Sequence, residues 1–124
     1  MLSERNARKT GAAGEGKAAA YLQENGYAII ERNWRARSGE IDIIAKQGEA
    51  LVFAEVKTLP SGGLETAAQE LSLRKRQRII ETAKHFLCAN RQYNGDYIRF
   101  DVLLVDIPEF APVYHIKNAF SELA

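Results

Sequence analysis

Two apolar runs on either side of a glycine constrain the fold of this chain more than any other feature. Residues 41–45 and 51–56 are rich in β-branched residues, and a short break that contains Gly48 separates them. Apolar strands joined by such a break are typical of a β-hairpin. The pattern therefore predicts two antiparallel strands joined by a two-residue turn at Gly48 and Glu49, with a positive φ at Gly48.

The turn determines which residues of the two strands face each other. With Gln47 facing Ala50, counting outward places Asp42 directly opposite Glu55. Side chains alternate between the two faces of a strand, so Lys57 shares the face of Glu55. A slip of one residue on either strand would separate Asp42 from Glu55. The hairpin thus predicts two carboxylates and an ammonium group on one face.

Two carboxylates that face each other need a positive partner. Like charges directly opposite each other destabilise a sheet, and ionised carboxylates in apolar surroundings are costly. Mg²⁺ prefers oxygen ligands, so Asp42 and Glu55 are candidate metal ligands, with Lys57 beside them. The alternative is that these charges lie on edge strands and prevent aggregation. Both faces of both strands are otherwise apolar, which favours covered strands and hence a site.

The composition is that of one globular domain spanning residues 1–124. Hydrophobic residues make up 46% of the chain and charged residues 27%, which is ordinary for a soluble protein. Residues 1–10 are polar without clear periodicity, which predicts a mobile arm. With no apolar run long enough to span a membrane and no secretory signal, we expect a cytoplasmic protein without a membrane partner. A single cysteine, Cys88, agrees with a reducing compartment.

Positive charge is clustered although the net charge is only +1. The three clusters are Arg5, Arg8 and Lys9; Arg32, Arg35 and Arg37; and Arg74, Lys75, Arg76 and Arg78. Clustered Lys and Arg residues indicate contact with a phosphate backbone, whereas the alternative is that they are solvated surface positions. The third cluster lies in the first half of a predicted helix, where the helix dipole disfavours positive charge. This mismatch suggests a use beyond helix stability. The candidate nucleic-acid contacts are Arg35 and Arg37 in the second cluster and Arg74, Lys75 and Arg78 in the third.

The remaining segments predict an α/β order around the hairpin. A first helix ends near Gly26, and a polar connection at 33–39 with Trp34 precedes the hairpin. Trp34 would either stack on a base or cover the edge of the core. The other predicted segments are a strand at 27–32, a flexible loop at 58–64, a helix at about 70–90, a strand at 97–107, a loop bracketed by Pro108 and Pro112 and a last strand at 113–116.

Three further polar residues have open roles. Glu15 lies on the apolar face of the first helix and is either a favourable charge in the first turn or a third carboxylate at the hairpin site. Asp101 is a supporting polar group, a partner of Arg99 or a cap for a neighbouring backbone group. His115 has no carboxylate or cysteine at ligand-like spacing, so we assign it no chemistry.

Taken together, these motifs resemble the YraN family of predicted endonucleases over nearly the full length. The resemblance implies a restriction-endonuclease-like core, with a mixed central β-sheet flanked by helices, shared with archaeal Holliday-junction resolvases. The resemblance rests on Gly14-Glu15, Gly26-Tyr27, Asn33, Gly39-Glu40-Ile41-Asp42-Ile43-Ile44-Ala45, Val52-Phe53-Ala54-Glu55-Val56-Lys57, Lys75 and Arg99-Phe100-Asp101-Val102.

The resemblance also implies an activity. Asp42, Glu55 and Lys57 would form the catalytic centre, and Glu15 would correspond to the helical glutamate of resolvase-like members. We therefore expect an endonuclease that depends on Mg²⁺ or Mn²⁺ and hydrolyses phosphodiester bonds in DNA, including branched DNA, with a homodimer suggested by analogy. The rival interpretations are an inactive nucleic-acid-binding module of the same fold and a protein-interaction domain.

Overall fold

Runs of β-branched and aromatic residues alternate with two stretches of helix formers along the chain. The computed structural model describes residues 4–58, 71–106 and 112–122, with side chains from residue 13 onward. The predicted α/β order is confirmed. The described elements are α1 (Glu4–Glu24), β1 (Ala28–Ala36), β2 (Gly39–Gln47), β3 (Ala50–Thr58), α2 (Leu73–Ala89), a 3₁₀ helix (Arg91–Tyr93), β4 (Tyr97–Val105) and β5 (Val113–Phe120).

The strands form one mixed sheet in the order β1-β2-β3-β4-β5. β1, β2 and β3 are antiparallel neighbours, and β5 is antiparallel to β4. β3 and β4 are parallel, because the chain returns along α2 before it pairs again. This crossover brings the beginning of α2 toward the end of β3.

Each helix covers one face of the sheet. Along β3, Val52 and Ala54 pack in a buried cluster with residues of α1, whereas Leu51 and Phe53 pack in a second cluster with residues of α2. This alternation is the strand periodicity of two. Because both faces are covered, the prediction of covered strands is confirmed.

The hairpin of β2 and β3 has the predicted register. Gln47 faces Ala50, and the pairing continues without a shift to Ile43 and Ala54. Gly48 has a φ of 58°, as the two-residue turn required. The next position outward on the two strands is that of Asp42 and Glu55, so the turn chemistry gave the correct alignment.

The first helix is longer than expected. It begins at Glu4, so residues 4–10, which we predicted as an arm, are helical instead. The residues of this segment include Ala, Arg, Lys and Glu, which are strong helix formers, and extending an existing helix costs little. The beginning at Glu4 also places Glu15 far beyond the first turn, which removes the helix dipole as a reason for its position.

The predicted connection at 33–39 is mostly strand. β1 continues to Ala36, and Asn33 within it has a φ of 53°, a conformation that Asn tolerates better than most residues. Trp34 lies half-buried, with its ring centroid 5.3 Å from that of Phe86 in an edge-to-face arrangement. Trp34 therefore covers the edge of the core.

The other boundaries differ modestly from the prediction. α2 begins after Ser72, whose hydroxyl accepts a hydrogen bond from the backbone N–H of Lys75. β5 continues to Phe120, beyond the expected end at residue 116. The predicted loop after Thr58, the expected beginning of the second helix at residue 70 and the segment 107–111 lie outside the described residues.

A buried polar network joins β4 to β5 and to the end of α1. Asp101, which is fully buried, accepts two hydrogen bonds from Arg99, at 2.9 and 2.8 Å, and one from the backbone N–H of Asn118. His115 Nε2 lies 2.6 Å from the same carboxylate, and Arg99 also donates to the Tyr27 hydroxyl. Asp101 is therefore both a partner of Arg99 and a cap for a neighbouring backbone group.

His115 has a carboxylate partner that the spacing of residues in the sequence did not show. That partner, Asp101, comes from the neighbouring strand and not from nearby sequence. By strand alternation Asp101 lies on the α1 face, opposite the face of Glu55. The network thus stabilises the fold away from the candidate site. No helix in the described part of the chain is both long and apolar enough to cross a membrane.

Replacing Asp101 tests the contribution of this network to stability. Asp101→Ala should lower the free energy of unfolding by about 3–5 kcal/mol, because Arg99 would keep a largely buried charge without its partner. Urea denaturation measures this change. The control Glu49→Ala, at an exposed turn position, should change it by less than about 0.5 kcal/mol. Equal effects of the two substitutions would contradict a stabilising role.

Candidate metal centre

Four carboxylates from three elements converge at one end of the sheet. Oxygen atoms of Glu15 in α1 and of Glu40 and Asp42 in β2 lie within 4.8 Å of one another. Asp42 also interacts with the carboxylate of Glu55 in β3. Asp42 is therefore the member that links the two halves of the cluster. The structure brings together the three predicted ligands, Asp42, Glu55 and Glu15, and adds Glu40.

The position of Asp42 depends on the point where β2 and β3 stop pairing. Their ladder ends at Ile43 and Ala54, one position before Asp42. Asp42 Oδ2 accepts a hydrogen bond of 2.8 Å from the backbone N–H of Val56. The side chain thus satisfies a strand donor that a neighbouring backbone carbonyl would otherwise satisfy. This bond holds the carboxylate beside β3.

Glu15 reaches the cluster because α1 lies very close to the end of β3. A Cβ atom on Gly14 would clash with Thr58 Oγ1, so only glycine permits this approach. The next residue along the helix is Glu15, which is half-buried. Of the two roles considered for Glu15, delivery of a third carboxylate to the site is the one that the geometry supports.

Asn33 bridges two of the carboxylates. With its amide nitrogen turned toward them, the orientation that avoids oxygen facing oxygen, Nδ2 donates to Glu15 Oε1 at 2.7 Å and to Glu40 Oε1 at 2.9 Å. The sequence pattern did not indicate that Asn33 would contact the carboxylates. Its position in β1, the strand next to β2, was hidden because the segment was interpreted as a connection.

Burial and mutual repulsion shape the protonation of the cluster. Burial, followed by the charge of Glu55, raises the pKa of Asp42 from 3.8 to about 8, although the hydrogen bond from Val56 opposes the shift. Burial also raises the pKa of Glu15. These shifts show that burial, and at Asp42 also the charge of Glu55, makes the two carboxylates costly to ionise, and a bound cation would relieve that cost. An all-oxygen set of carboxylates is the donor chemistry that Mg²⁺ and Mn²⁺ prefer.

Two lysines approach the same oxygen of Glu55. The ammonium of Lys57 lies 3.7 Å from Glu55 Oε1, so the expected shared face of these two residues is confirmed. The ammonium of Lys75 lies closer, at 3.2 Å. Lys75 was predicted to contact nucleic acid, and the structure places it at the carboxylate cluster.

The carboxylates open into a cleft of about 550 Å³ between β2, β3 and the beginning of α2. Arg74 and Arg78 line this cleft with Lys75. Arg35 is highly exposed and pairs with Glu40 at 3.0 Å, at the rim of the cluster. Arg37 is exposed in the β1–β2 turn and is not among the described residues that line the cleft. Of the five predicted nucleic-acid contacts, Arg37 is thus the one that neither lines the cleft nor has a described ion pair with a carboxylate of the cluster.

A second cavity, of about 320 Å³, lies elsewhere on the α2 face. Its lining is mostly apolar, with Phe100 and Phe120 as its largest side chains, and Glu122 is its one carboxylate among the described residues. It offers no group of carboxylates that could hold a cation. The cleft with Asp42 and Glu55 is therefore the candidate site.

The raised pKa of Asp42 predicts a pH-dependent stability in the absence of divalent cations. The folded protein keeps a proton on Asp42 up to about pH 8, whereas the unfolded chain loses it near pH 3.8. This contribution to stability is fully present below the unfolded pKa and is lost as the pH rises toward 8. Asp42→Asn cannot lose this proton, so its melting temperature should gain on that of the wild type from about pH 5 to pH 8.

Thermal unfolding in a chelating buffer at several pH values measures this difference. Glu31→Gln, at an exposed position on β1, is the control and should follow the wild type at every pH. A constant offset between Asp42→Asn and the wild type would show that Asp42 does not titrate in this range.

Comparison with known proteins places the chain in a family. The family model described as "Uncharacterised protein family UPF0102" matches residues 14–105. A UPF0102 protein of Treponema pallidum (strain Nichols) is 46% identical over 117 residues, which cover 91% of this chain and 93% of the relative. UPF0102 proteins of Treponema denticola and Alkaliphilus oremlandii are 44% and 40% identical over 123 and 115 residues, covering 90% and 91% of this chain and 95% and 98% of the relatives.

The matched segment contains the four carboxylates and both lysines that meet at the cleft. The match to the family model therefore covers β1 to β4, the second half of α1, all of α2 and the candidate site. On these matches the chain belongs to the UPF0102 family, which is the YraN family that its motifs resemble.

Proposed function

We propose that this protein is a metal-dependent endonuclease that hydrolyses phosphodiester bonds in DNA, with a restriction-endonuclease-like core. One observation carries the proposal: Asp42 and Glu55 line a cleft together with Arg74 and Arg78, with Glu15 beside Asp42 and Lys57 beside Glu55. A mixed sheet with one helix on each face is compatible with such a core. Carboxylates, an ammonium group and guanidinium groups in one cleft are the parts that phosphodiester hydrolysis needs.

The carboxylates divide into residues with different tasks. Asp42, Glu55 and Glu15 would hold Mg²⁺ or Mn²⁺, because Asp42 interacts with the carboxylates of both others and burial raises the pKa of Asp42 and of Glu15. Such a cation, when bound, supplies an activated water molecule and stabilises charge on the leaving oxygen. Asn33 would orient Glu15 by its hydrogen bond.

Lys57 is the protein's own positive group at the reacting centre. Its side chain is only 16% exposed, so its charge acts in surroundings that screen it weakly. There it would stabilise the additional charge on the pentavalent phosphorus or position the attacking water. Both roles require that Lys57 remain near Glu55, and the alternation of side chains along β3 puts the two residues on one face.

The basic residues at the cleft favour a nucleic acid as substrate. Arg74 and Arg78 lie on the exposed side of α2, next to the carboxylates. Guanidinium groups bind phosphate oxygens in pairs of hydrogen bonds, which would position the backbone without reading its sequence. This mode of contact suits recognition of DNA shape, as at a branch.

Substitutions at Glu55 and Lys57 test the reaction. Glu55→Gln and Lys57→Ala should each reduce Mg²⁺- or Mn²⁺-dependent cleavage by at least about 10³-fold, because each removes a group that stabilises transition-state charge. The measurement is single-turnover cleavage across junction, flap, single-stranded and duplex DNA. Lys117→Ala, at an exposed position on β5, is the control. Wild-type rates in both variants would refute the assignment.

Binding of Mg²⁺ separates the enzyme from an inactive binding module. If the carboxylates hold a cation, calorimetric titration with Mg²⁺ should give a binding signal that Asp42→Ala abolishes. An inactive module would bind DNA and give no such signal. A protein-interaction domain would bind none of the DNA substrates at any salt concentration.

Arg74 and Arg78 should act on DNA binding and not on the chemical step. Arg74→Gln and Arg78→Gln should each weaken binding to all DNA sequences and lower the slope of log affinity against log salt by about one. Fluorescence anisotropy over a salt series, with Ca²⁺ in place of Mg²⁺, measures this slope. An unchanged slope in both variants would remove these residues from the interface.

A further inference from the structure

The basic residues at the beginning of α2 have separate partners, although the sequence presents them as one cluster. Arg76 Nε donates to the backbone carbonyl of Leu71 at 3.0 Å, so it anchors the beginning of the helix. Arg74 and Arg78 are exposed and line the cleft. Lys75 pairs with Glu55 Oε1 at 3.2 Å. Only Lys75 of this group has a described ion pair with a carboxylate of the candidate metal centre.

Lys75 is held at this place by the way α2 begins. Ser72 caps the helix and accepts a hydrogen bond from the backbone N–H of Lys75 at 3.3 Å. No acidic residue lies in the first turn of α2, so no local charge compensates for Lys75 near the positive end of the helix dipole. Its compensation comes from Glu55 on β3. The position therefore depends on a contact with the centre.

Two ammonium groups near one oxygen carry two positive charges, whereas Glu55 carries one negative charge. Lys57 lies 3.7 Å from Glu55 Oε1 and Lys75 lies 3.2 Å from it. Asp42 contributes further negative charge at Lys75. A divalent cation bound by these carboxylates would compete with the nearer lysine for the same oxygen, because like charges repel.

We propose that Lys75 is a positioning residue of the catalytic centre that shares Glu55 with the bound cation. Without a cation, Lys75 holds the Glu55 carboxylate toward the cleft. With Glu55 engaged by a cation, the ammonium of Lys75 would be free to turn into the cleft, where a substrate phosphate would bind. This inference rests on the proposed function for its substrate, but the competition for Glu55 is a property of the protein alone.

Cation affinity tests the competition without any nucleic acid. Lys75→Gln removes the competing charge, so its dissociation constant for Mn²⁺, measured by calorimetry at fixed pH, should fall at least about fivefold. Lys84→Gln is the matched control, because Lys84 lies exposed on the same helix and pairs with Glu122 away from the cleft. Its Mn²⁺ affinity should stay within about twofold of the wild type. A second variant, Lys75→Met, should reproduce the result of Lys75→Gln.

Cleavage supplies the second readout. With Mn²⁺ and DNA both saturating, the single-turnover rate of Lys75→Gln should fall about 10²-fold, and Lys75→Arg should restore part of it. A residue that only tracks the DNA backbone would leave Mn²⁺ affinity unchanged, and one that only supports the fold would weaken it. Either of these results for Lys75→Gln would overturn the proposal.

The two proposals fail in different ways. A wild-type protein that binds Mn²⁺ and cleaves no DNA would refute the proposed function, while the change in affinity would still decide whether Lys75 competes for Glu55. A wild-type protein that binds no Mn²⁺ would overturn both. Tighter Mn²⁺ binding with slower cleavage in Lys75→Gln supports both.

Discussion

The hydrogen bond from the backbone N–H of Val56 to Asp42 Oδ2 is the interaction on which the cleft depends. The main-chain ladder between β2 and β3 ends at Ile43 and Ala54, and a strand donor beyond that point needs another partner. Asp42 is that partner. A structural requirement where the two strands stop pairing thus holds a carboxylate in the place where the other carboxylates converge.

The cluster is compensated unevenly, and this imbalance is the feature that supports the proposed cation site. Glu55 has two lysines within 4.0 Å, and Glu40 pairs with Arg35. Asp42 has no described ion pair with a basic residue, its hydrogen bond from the backbone N–H of Val56 brings no charge, and burial and Glu55 raise its pKa to about 8. The free-energy cost of ionising a carboxylate is therefore least compensated at Asp42. A protein keeps such a cost where function requires it.

The hairpin was predictable from the sequence because its constraints are local. A two-residue turn at Gly48 fixes the register, and the register together with strand alternation places Asp42, Glu55 and Lys57. The α/β class followed from the order of apolar runs for the same reason. The placement of these three residues on one face could therefore be predicted to the extent that one turn determines it.

Contacts between distant segments were not predictable in this way. Asn33, the partnership of His115 with Asp101 and the approach of Lys75 to Glu55 all depend on how elements far apart in the chain meet. Gly14 carried a signal, since glycine within a run of helix formers indicates close approach. The signal did not identify Thr58 as the group that approaches. Local sequence patterns do not encode such pairs.

The crossover from β3 to β4 explains why the lysine at the centre comes from a helix. Because these strands are parallel, α2 must begin near the end of β3, where Glu55 and Lys57 lie. The beginning of a helix carries partial positive charge, so basic residues there gain stability only from an external negative partner. The carboxylate cluster is that partner for Lys75. The topology of the sheet thus joins the acidic and basic halves of the site, although residues 58–74 separate Lys57 from Lys75 in the sequence.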